Sequence, residues 1–566
     1  MEYLLTGAEM SDCDRRTSEE IGIPSLVLME RAALSVADGA DTFLRQCGGR
    51  HPCVLAVAGR GNNGADALAT GRILLERGYK VRFCRLSGEI SPGSSFAVQE
   101  KILQHYGAEI VPFPDFTDRG PDPDLVIDGL FGTGLSRDLT GEAAECVDMI
   151  NSLRDRSGSY VIAVDIPSGI SSDDGRVMGC AVRCDETRTF AFYKRGHFMY
   201  PGATFAGELH LAQIGITARA FRAEPEMFTF LSETAGDQLP ARNPGGNKGT
   251  FGKVVLVAGR HNMCGAALLA GRACLSAGAG MVKIFTHESN RVIIQQELPE
   301  ALLDTYSDLD TPEQAAEKLR ASLAWADIAA AGPGMGTDET GRALLGAVLD
   351  AAQAGSPHAH DHHLRGLVLD ADALRLLAED PQARAKLAGR KAGLPCILTP
   401  HMGEFAALAG RSIRDCIEKR PDLVREAAQE FGCTIACKDA RTLVMTGKTP
   451  GRMYLNISGN SGMAGAGSGD VLTGMTAAFL GLMSSARSGA GQPDVFSKTD
   501  IFSAQDLVNG FAAACCAVYL HGRAGDLARA AHGEQGMTAG DLIEALRRRD
   551  FWSGTGLQSG DPARKI

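Results

Sequence analysis

Two short glycine-rich segments, each ending in a carboxylate, are where this chain would do chemistry. They are Gly61-Asn62-Asn63-Gly64-Ala65-Asp66 and Gly465-Ala466-Gly467-Ser468-Gly469-Asp470. Each opens a helix-like run, so each offers unpaired backbone N–H groups to an anion. A carboxylate cannot hold a phosphate, so the closing aspartates point to handling a proton or a hydroxyl. Two such loops, far apart in sequence, suggest two activities on phosphate-bearing substrates in one chain.

Around the first loop, three turns carry oxygen donors. Asn63 lies in the loop, Asp128 precedes Gly129-Leu130-Phe131-Gly132-Thr133-Gly134-Leu135, and Ser168 lies in Asp165-Ile166-Pro167-Ser168-Gly169. Oxygen-only donors suit a hard cation, and a single carboxylate suits a weakly charged one better than a divalent metal. Asp165, three residues before Ser168, has the chemistry of a general acid/base. The amides after Asn62 and the Gly132–Gly134 turn are candidate phosphate ligands. Taken singly, each motif is equally compatible with a turn or a strand cap; their joint placement favours a site.

Around the second loop, the apolar run Val471-Leu472-Thr473-Gly474-Met475 reads as a helix. Amides at its start would face a transferring phosphoryl group, and Asp470 would accept a proton from an attacking hydroxyl. A helix cap is the plain alternative for Asp470. No Gly-Lys-Ser/Thr follows, so this is not a Walker loop.

The elements that must position these residues are β-branched runs alternating with helical patterns, which predicts mostly parallel α/β sheets. Val54–Ala58, Leu125–Asp128 and Val161–Asp165 lead into the three turns of the first half. In such sheets ligands sit beyond the carboxyl ends of the strands, so the three turns would converge. A Gly-, Pro- and Asn-rich break falls at about Gly236 to Gly249. A second series begins at Val254–Gly259, with further strands at Ile328–Ala331, Leu367–Leu369, Cys396–Leu398, Thr434–Lys438 and Thr442–Met445, and helices from Asp506 to Arg549. The tract His358-Ala359-His360-Asp361-His362-His363 reads as a solvated loop rather than a metal site.

At 566 residues and 44% apolar, the chain has ample core for more than one domain, and its formal charge of −11 argues against a general nucleic-acid or membrane-surface binder. The start lacks the pattern of a secretory signal, and no apolar run is long enough to span a bilayer. Fifteen scattered cysteines without a CxxC pair are expected as reduced thiols in a cytoplasmic setting.

Residues 1 to about 220 resemble the NAD(P)H-hydrate epimerase family, through Gly61–Asp66, Val126–Leu135 and Val164–Gly169 in that order, preceded by Gly22-Ile23-Pro24-Ser25 and Leu28-Met29-Glu30. The resemblance implies a Rossmann-like domain with potassium at Asn63, Asp128 and Ser168. It also implies substrate contacts at Asn62, Asn63, Gly64, Ala65, Asp66, Gly132, Thr133, Gly134, Leu135, Ser136, Arg137, Asp138 and Asp165. Ala65 stands where that family usually has a second glycine, and a methyl there resists positive φ.

Residues 225 to 550 resemble the ADP- or ATP-dependent NAD(P)H-hydrate dehydratases, which implies a ribokinase-like domain; residues 551–566 would be a tail. The matching stretches are Asn247–Gly252, Gly265-Ala266, Ser276–Gly280, Gly332–Gly336, Leu369–Leu374, Leu398–Glu404 and the loop through Asp470. By that resemblance Ala266, Gly336, His401 and Asp470 contact the hydrated nucleotide, and Lys438, Asp439, Ala440, Arg441, Thr442 and Gly469 the phosphoryl donor. Asp439 replaces a usual glycine, and a carboxylate near a diphosphate is unfavourable unless it points away.

The implied function is repair of hydrated nicotinamide nucleotides. The first half would interconvert the R and S epimers of NADHX and NADPHX. The second would dehydrate the S epimer with ADP, magnesium assisting, through Asp470. A homo-oligomer acting on small molecules, without nucleic acid or membrane, is expected. The alternative is a ribokinase-like small-molecule kinase fused to a non-catalytic nucleotide- or RNA-binding module.

Overall fold

The computed structural model describes residues 1–47, 52–116, 121–231, 238–353, 364–447, 451–488, 502–508 and 510–552. The tract His358–His363 and residues 553–566 of the expected tail lie outside them, as do 236 and 237 of the break. The chain divides into two compact units, one from Glu2 to Met227 and one from Phe228 onward.

The N-terminal unit is built on a seven-stranded sheet in which every paired neighbour is parallel. Its centre is Cys53–Ala58, Leu125–Gly129 and Tyr160–Val164, almost wholly buried, as strands covered on both faces must be. One face packs against the helices Ser25–Gln46 and Asn62–Glu76, the other against Glu142–Ser157. Adjacent registers place Ala58 beside Gly129, and Asp128 beside Ala163. The three turns therefore leave the sheet at one edge.

The C-terminal unit repeats the logic with a longer sheet. Leu302–Tyr306, Met281–His287, Lys253–Val257, Ile328–Ala331, Gly366–Leu369, Cys396–Leu398 and Thr434–Cys437 run parallel in that order, and Leu443–Thr446 and Met453–Leu455 follow antiparallel. The helices Ser468–Ser488 and Phe511–His532 pack on it, and the latter is buried over its N-terminal half, as its continuous apolar run requires. Both units thus have the expected α/β class. Thr434–Lys438 ends one residue early, at Cys437. The strand Lys80–Arg85, second from one edge, and the edge strand Glu208–Ala212 have no clear sequence signal, because partial exposure lets polar residues interrupt the apolar pattern.

Gly332 shows how tightly the strand ends pack. It has φ +134°, and a Cβ there would lie 1.7 Å from the Asp370 carbonyl oxygen. Gly332→Ala should cost on the order of 2–4 kcal/mol by combined strain and overlap. Gly346, within the helix Glu339–Ala351 and with no atom within 4 Å of a Cβ, should gain about 0.5–1 kcal/mol from the same change. Urea unfolding of both variants, followed by Trp325 fluorescence, checks the contrast.

Candidate functional site

In the N-terminal unit the strand-end turns border a cavity of about 850 Å³. Asn62, Asn63, Asp66, Gly132, Thr133, Gly134, Leu135, Arg137, Asp138 and Asp165 line it; Gly64, Ala65 and Ser136 do not. Gly64 and Ala65 are buried beneath it, in the first turn of the helix Asn62–Glu76. A Cβ on Gly64 would meet the Gly59 carbonyl oxygen at 1.9 Å, whereas Ala65 sits in helical backbone where its methyl is accommodated. The glycine usual at position 65 is therefore not required here.

Asp165 holds a left-handed conformation, φ 69°, uncommon outside glycine and characteristic of functional turns. Its Oδ1 accepts hydrogen bonds from Lys194 Nζ at 2.5 Å and Thr189 Oγ1 at 3.0 Å, and Lys194 is buried with only 1% of its side chain exposed. Lys194 comes from the two-residue strand Tyr193–Lys194, which pairs with Glu2–Leu5. Beneath, buried His197 accepts the Lys194 N–H at Nδ1 and so donates from Nε2 to the Asp165 carbonyl. Burial, then the Lys194 charge, holds its pKa down at about 4, so it stays neutral. Asp14 also lines the cavity. Burial raises its pKa and the Asp165 charge raises it further; Asp66 is pushed well above the carboxylate range by burial, then by Asp165 and Asp14.

Asp128 and Ser168 lie under the cavity floor. Ser168 donates to the Asp128 carboxylate from Oγ at 2.6 Å and from its N–H at 2.8 Å, and the Leu130 N–H donates at 3.2 Å. Burial nevertheless raises Asp128 to about 6. Asn63 has a buried side-chain nitrogen without a partner, and its amide lies beside Gly132, 3.1 Å from where a Cβ would be.

The C-terminal unit places a second lysine in a similar position. Lys438, just past Thr434–Cys437, donates to Asp370 at 2.7 Å, and Thr473 Oγ1 donates to the other Asp370 oxygen at 2.6 Å. Asp370 is 2% exposed and stands at the end of Gly366–Leu369. Gly469 sits over this pair, with a Cβ position 3.4 Å from Lys438 Nζ. Asp470 follows in the first turn of Ser468–Ser488; burial, then Asp370 and Asp372, raise its pKa to about 6 against the opposing pull of Lys438. Asp372 accepts the Gly336 N–H at 2.9 Å. His401 caps the helix Met402–Ala409, its Nδ1 accepting the Gly403 and Glu404 N–H groups, and Nε2 lies 3.2 Å from Glu404. Ala266, in Cys264–Ser276, packs by Gly334.

Asp439 carries the carboxylate that raised doubt about nucleotide contact. Arg420, itself buried, donates to it at 2.6 Å, so its charge is paired. Ala440 is exposed, while Arg441 and Thr442 are buried, with Arg441 donating to the Ile457 carbonyl.

Residues 25–196 match the family model described as YjeF-related protein N-terminus, and residues 254–548 that described as NAD(P)H-hydrate dehydratase. A bifunctional NAD(P)H-hydrate repair enzyme from Moorella thermoacetica is 34% identical over 557 residues, covering 96% of each chain. The chain belongs to the bifunctional NAD(P)H-hydrate repair enzyme family. The Escherichia coli relative of that name is 28% identical, covering 94% of this chain and 91% of its own. An ADP/ATP-dependent NAD(P)H-hydrate dehydratase from Bacillus subtilis, crystallised with ATP and Mg2+, is 28% identical with a TM-score of 0.42, over 56% of this chain and 94% of its own.

The chain is thus a two-activity enzyme of that family, with an epimerase domain before a dehydratase domain. Sequence reasoning missed Asp14, Thr189, Lys194 and His197 in the first domain, and Arg420 and Thr473 in the second. Asp370 had a usable signal, since it follows a β-rich run as Asp165 does.

Lys194 pairs with Asp165, the carboxylate whose charge Asp14 and Asp66 feel. Lys194→Met should destabilise the N-terminal unit by about 3–5 kcal/mol, because removing one partner leaves an unpaired buried charge. Adding Asp165→Asn should recover a large part of that loss. Urea titration read by hydrogen exchange in peptides from Cys53–Ala58 and Tyr160–Val164 measures both.

Proposed function

We propose that the N-terminal cavity interconverts the R and S epimers of NADHX and NADPHX, and that the C-terminal strand-end site dehydrates the S epimer using ADP. The observation that carries the reading is the same in both halves: a strand-end aspartate ion-paired to a lysine, with Lys194 buried in one pair and Asp370 in the other, beside another carboxylate whose pKa is raised. Environments that push neighbouring carboxyls apart create an acid and a base in one site.

In the epimerase half, Asp165, ion-paired to Lys194, is the base, and the protonated Asp66 is the acid. The substrate hydroxyl sits on the carbon beside the ring nitrogen. A proton from Asp66 lets it leave as water while the nitrogen lone pair forms a planar iminium. Water returns to the other face, giving its extra proton to the carboxylates. Arg60 and Arg137 on the cavity wall suit the substrate phosphates. Of the remaining predicted contacts, Asn62, Gly132 to Leu135 and Asp138 line the same cavity.

Potassium fits the residues beneath. Asp128 is a fully buried carboxylate with hydrogen bonds but no cationic side chain on it, and turning the Asn63 amide would present an oxygen where its unpartnered nitrogen stands. Asn63, Asp128 and Ser168 would hold the ion, which supplies charge balance and fixes the three turns. Epimerisation by the wild type should rise with potassium at fixed ionic strength, and Asp128→Ala should lose most of that response. Chromatography of the two epimers over time checks it.

In the dehydratase half, Ala266, Gly336, His401 and Asp470 hold the S epimer, and Lys438, Asp439, Ala440, Arg441, Thr442 and Gly469 the donor. Asp470 takes the proton of the hydroxyl, whose oxygen attacks the terminal phosphorus of ADP; the bond to AMP breaks. The nitrogen lone pair then expels phosphate, and loss of a ring proton restores the dihydronicotinamide. The first-turn amides at Gly469 and Asp470 and the Lys438 ammonium face the moving charge. Magnesium would ride mainly on the donor phosphates, neutralising charge there. The fifteen free thiols support the cytoplasmic setting, and no described helix is long and apolar enough to cross a membrane.

Asp470 works only when ionised, so dehydration should fall about tenfold per pH unit below its pKa of about 6. Asp470→Asn should lower phosphate release and the 340-nm signal together by roughly 10²–10⁴-fold while leaving epimerisation unchanged. Turnover within a few-fold of wild type would reduce Asp470 to a helix cap.

A further inference from the structure

We propose that His261, His287 and Asp308 form a binding site for a divalent transition-metal ion of the zinc type, at the carboxyl edge of the C-terminal sheet. None of the three belongs to the residues assigned to dehydration. They come from three neighbouring parallel strands. His287 is the last residue of Met281–His287, His261 follows Lys253–Val257, and Asp308 stands two residues past Leu302–Tyr306. One ligand atom from each lies within 4.8 Å of the others, the only such group of three among the described residues.

The spacing suits a small ion. His287 Nε2 is 3.2 Å from Asp308 Oδ1, and His261 Nδ1 is 3.8 Å from Asp308 Oδ2. Ligands about 2.0–2.1 Å from a tetrahedral ion lie roughly 3.4 Å from one another, so these separations bracket what is needed. Two borderline imidazoles with one hard carboxylate suit zinc, cobalt or nickel, and three protein ligands leave a position for water. Magnesium and calcium, which take oxygen, would be poor occupants.

His287 is also held as a ligand should be. Its side chain is 5% exposed, its ring lies edge-on to Tyr306, and Nδ1 is 2.8 Å from Ser289 Oγ. Nδ1 accepts the Ser289 N–H at 3.3 Å, which places the ring proton on Nε2 facing Asp308 in the ion-free protein; an ion at Nε2 displaces that proton, and Ser289 Oγ is placed to accept it at Nδ1. An outer partner of this kind fixes tautomer and ring orientation at metal sites. His261 and Asp308 are exposed, so the ion would enter from solvent. The second imidazole distinguishes the cluster from a simple pair: its ring centre is 5.2 Å from that of His287, and one carboxylate balances one imidazolium, not two.

Full-length protein stripped with a chelator would be titrated with Co2+, read by visible absorption, and dialysed against Zn2+ to count bound equivalents. Wild type should take up one equivalent more than either His261→Ala or Asp308→Asn. Both replaced residues are exposed, so the variants keep their fold, which circular dichroism verifies. Ser289→Ala should weaken uptake by about tenfold. Counting the difference removes metal held by the cysteines or by the His358–His363 tract, which all of these proteins share. Equal uptake by wild type and both variants would overturn the site, as would no uptake at all.

Discussion

The ion pair between a lysine and a strand-end aspartate, one partner of which is buried, is the constraint on which both sites rest. A chain with a net charge of −11 has no global field to draw in anions, and each site collects carboxylates at a sheet edge. Lys194 at Asp165 and Lys438 at Asp370 supply the local positive charge that lets those carboxylates share a cavity. Burying a lysine is costly unless its ammonium is paired and hydrogen-bonded. Lys194 meets that condition with Asp165, Thr189 and the Phe190 carbonyl, and Lys438 with Asp370.

That arrangement separates the carboxylates chemically. In the epimerase domain Asp165 takes the lysine, and the raised Asp14 and Asp66 beside it favour the protonated form. In the dehydratase domain Asp370 takes the lysine, and Asp470 beside it is raised only to about 6, still mostly ionised at neutral pH. The same device therefore serves an acid in one half and a base in the other. The difference follows from the more complete burial of Asp66 and from Lys438, whose ammonium lies close to Gly469 and opposes the upward pull on Asp470.

Much of this was legible in the sequence because strand-end turns demand particular residues. Gly64 and Gly332 stand where a Cβ would strike a carbonyl, and so do Gly129 after Asp128 and Gly169 after Asp165. What stayed hidden was mostly non-local. Lys194 owes its place to a two-residue strand paired with the first residues of the chain, too short for any periodic pattern. Arg420 neutralises Asp439 from the start of a helix nineteen residues earlier, where an arginine reads as one more polar residue on an amphipathic face. Ala65 looked like a departure with a cost, but helical backbone there removes the need for glycine.

The account holds that each domain completes its own half of the repair. The most direct test mixes two full-length variants, Asp165→Asn and Asp470→Asn, with both epimers of hydrated NADH and ADP, and follows absorbance at 340 nm. Asp165→Asn alone should convert the S epimer quickly and then slow to the spontaneous rate of epimerisation, and Asp470→Asn alone should recover almost nothing. Together they should carry both epimers through at a rate approaching wild type. A mixture that still stalls once the S epimer is consumed would contradict the assignment of Asp165 and Asp470 to two separable reactions.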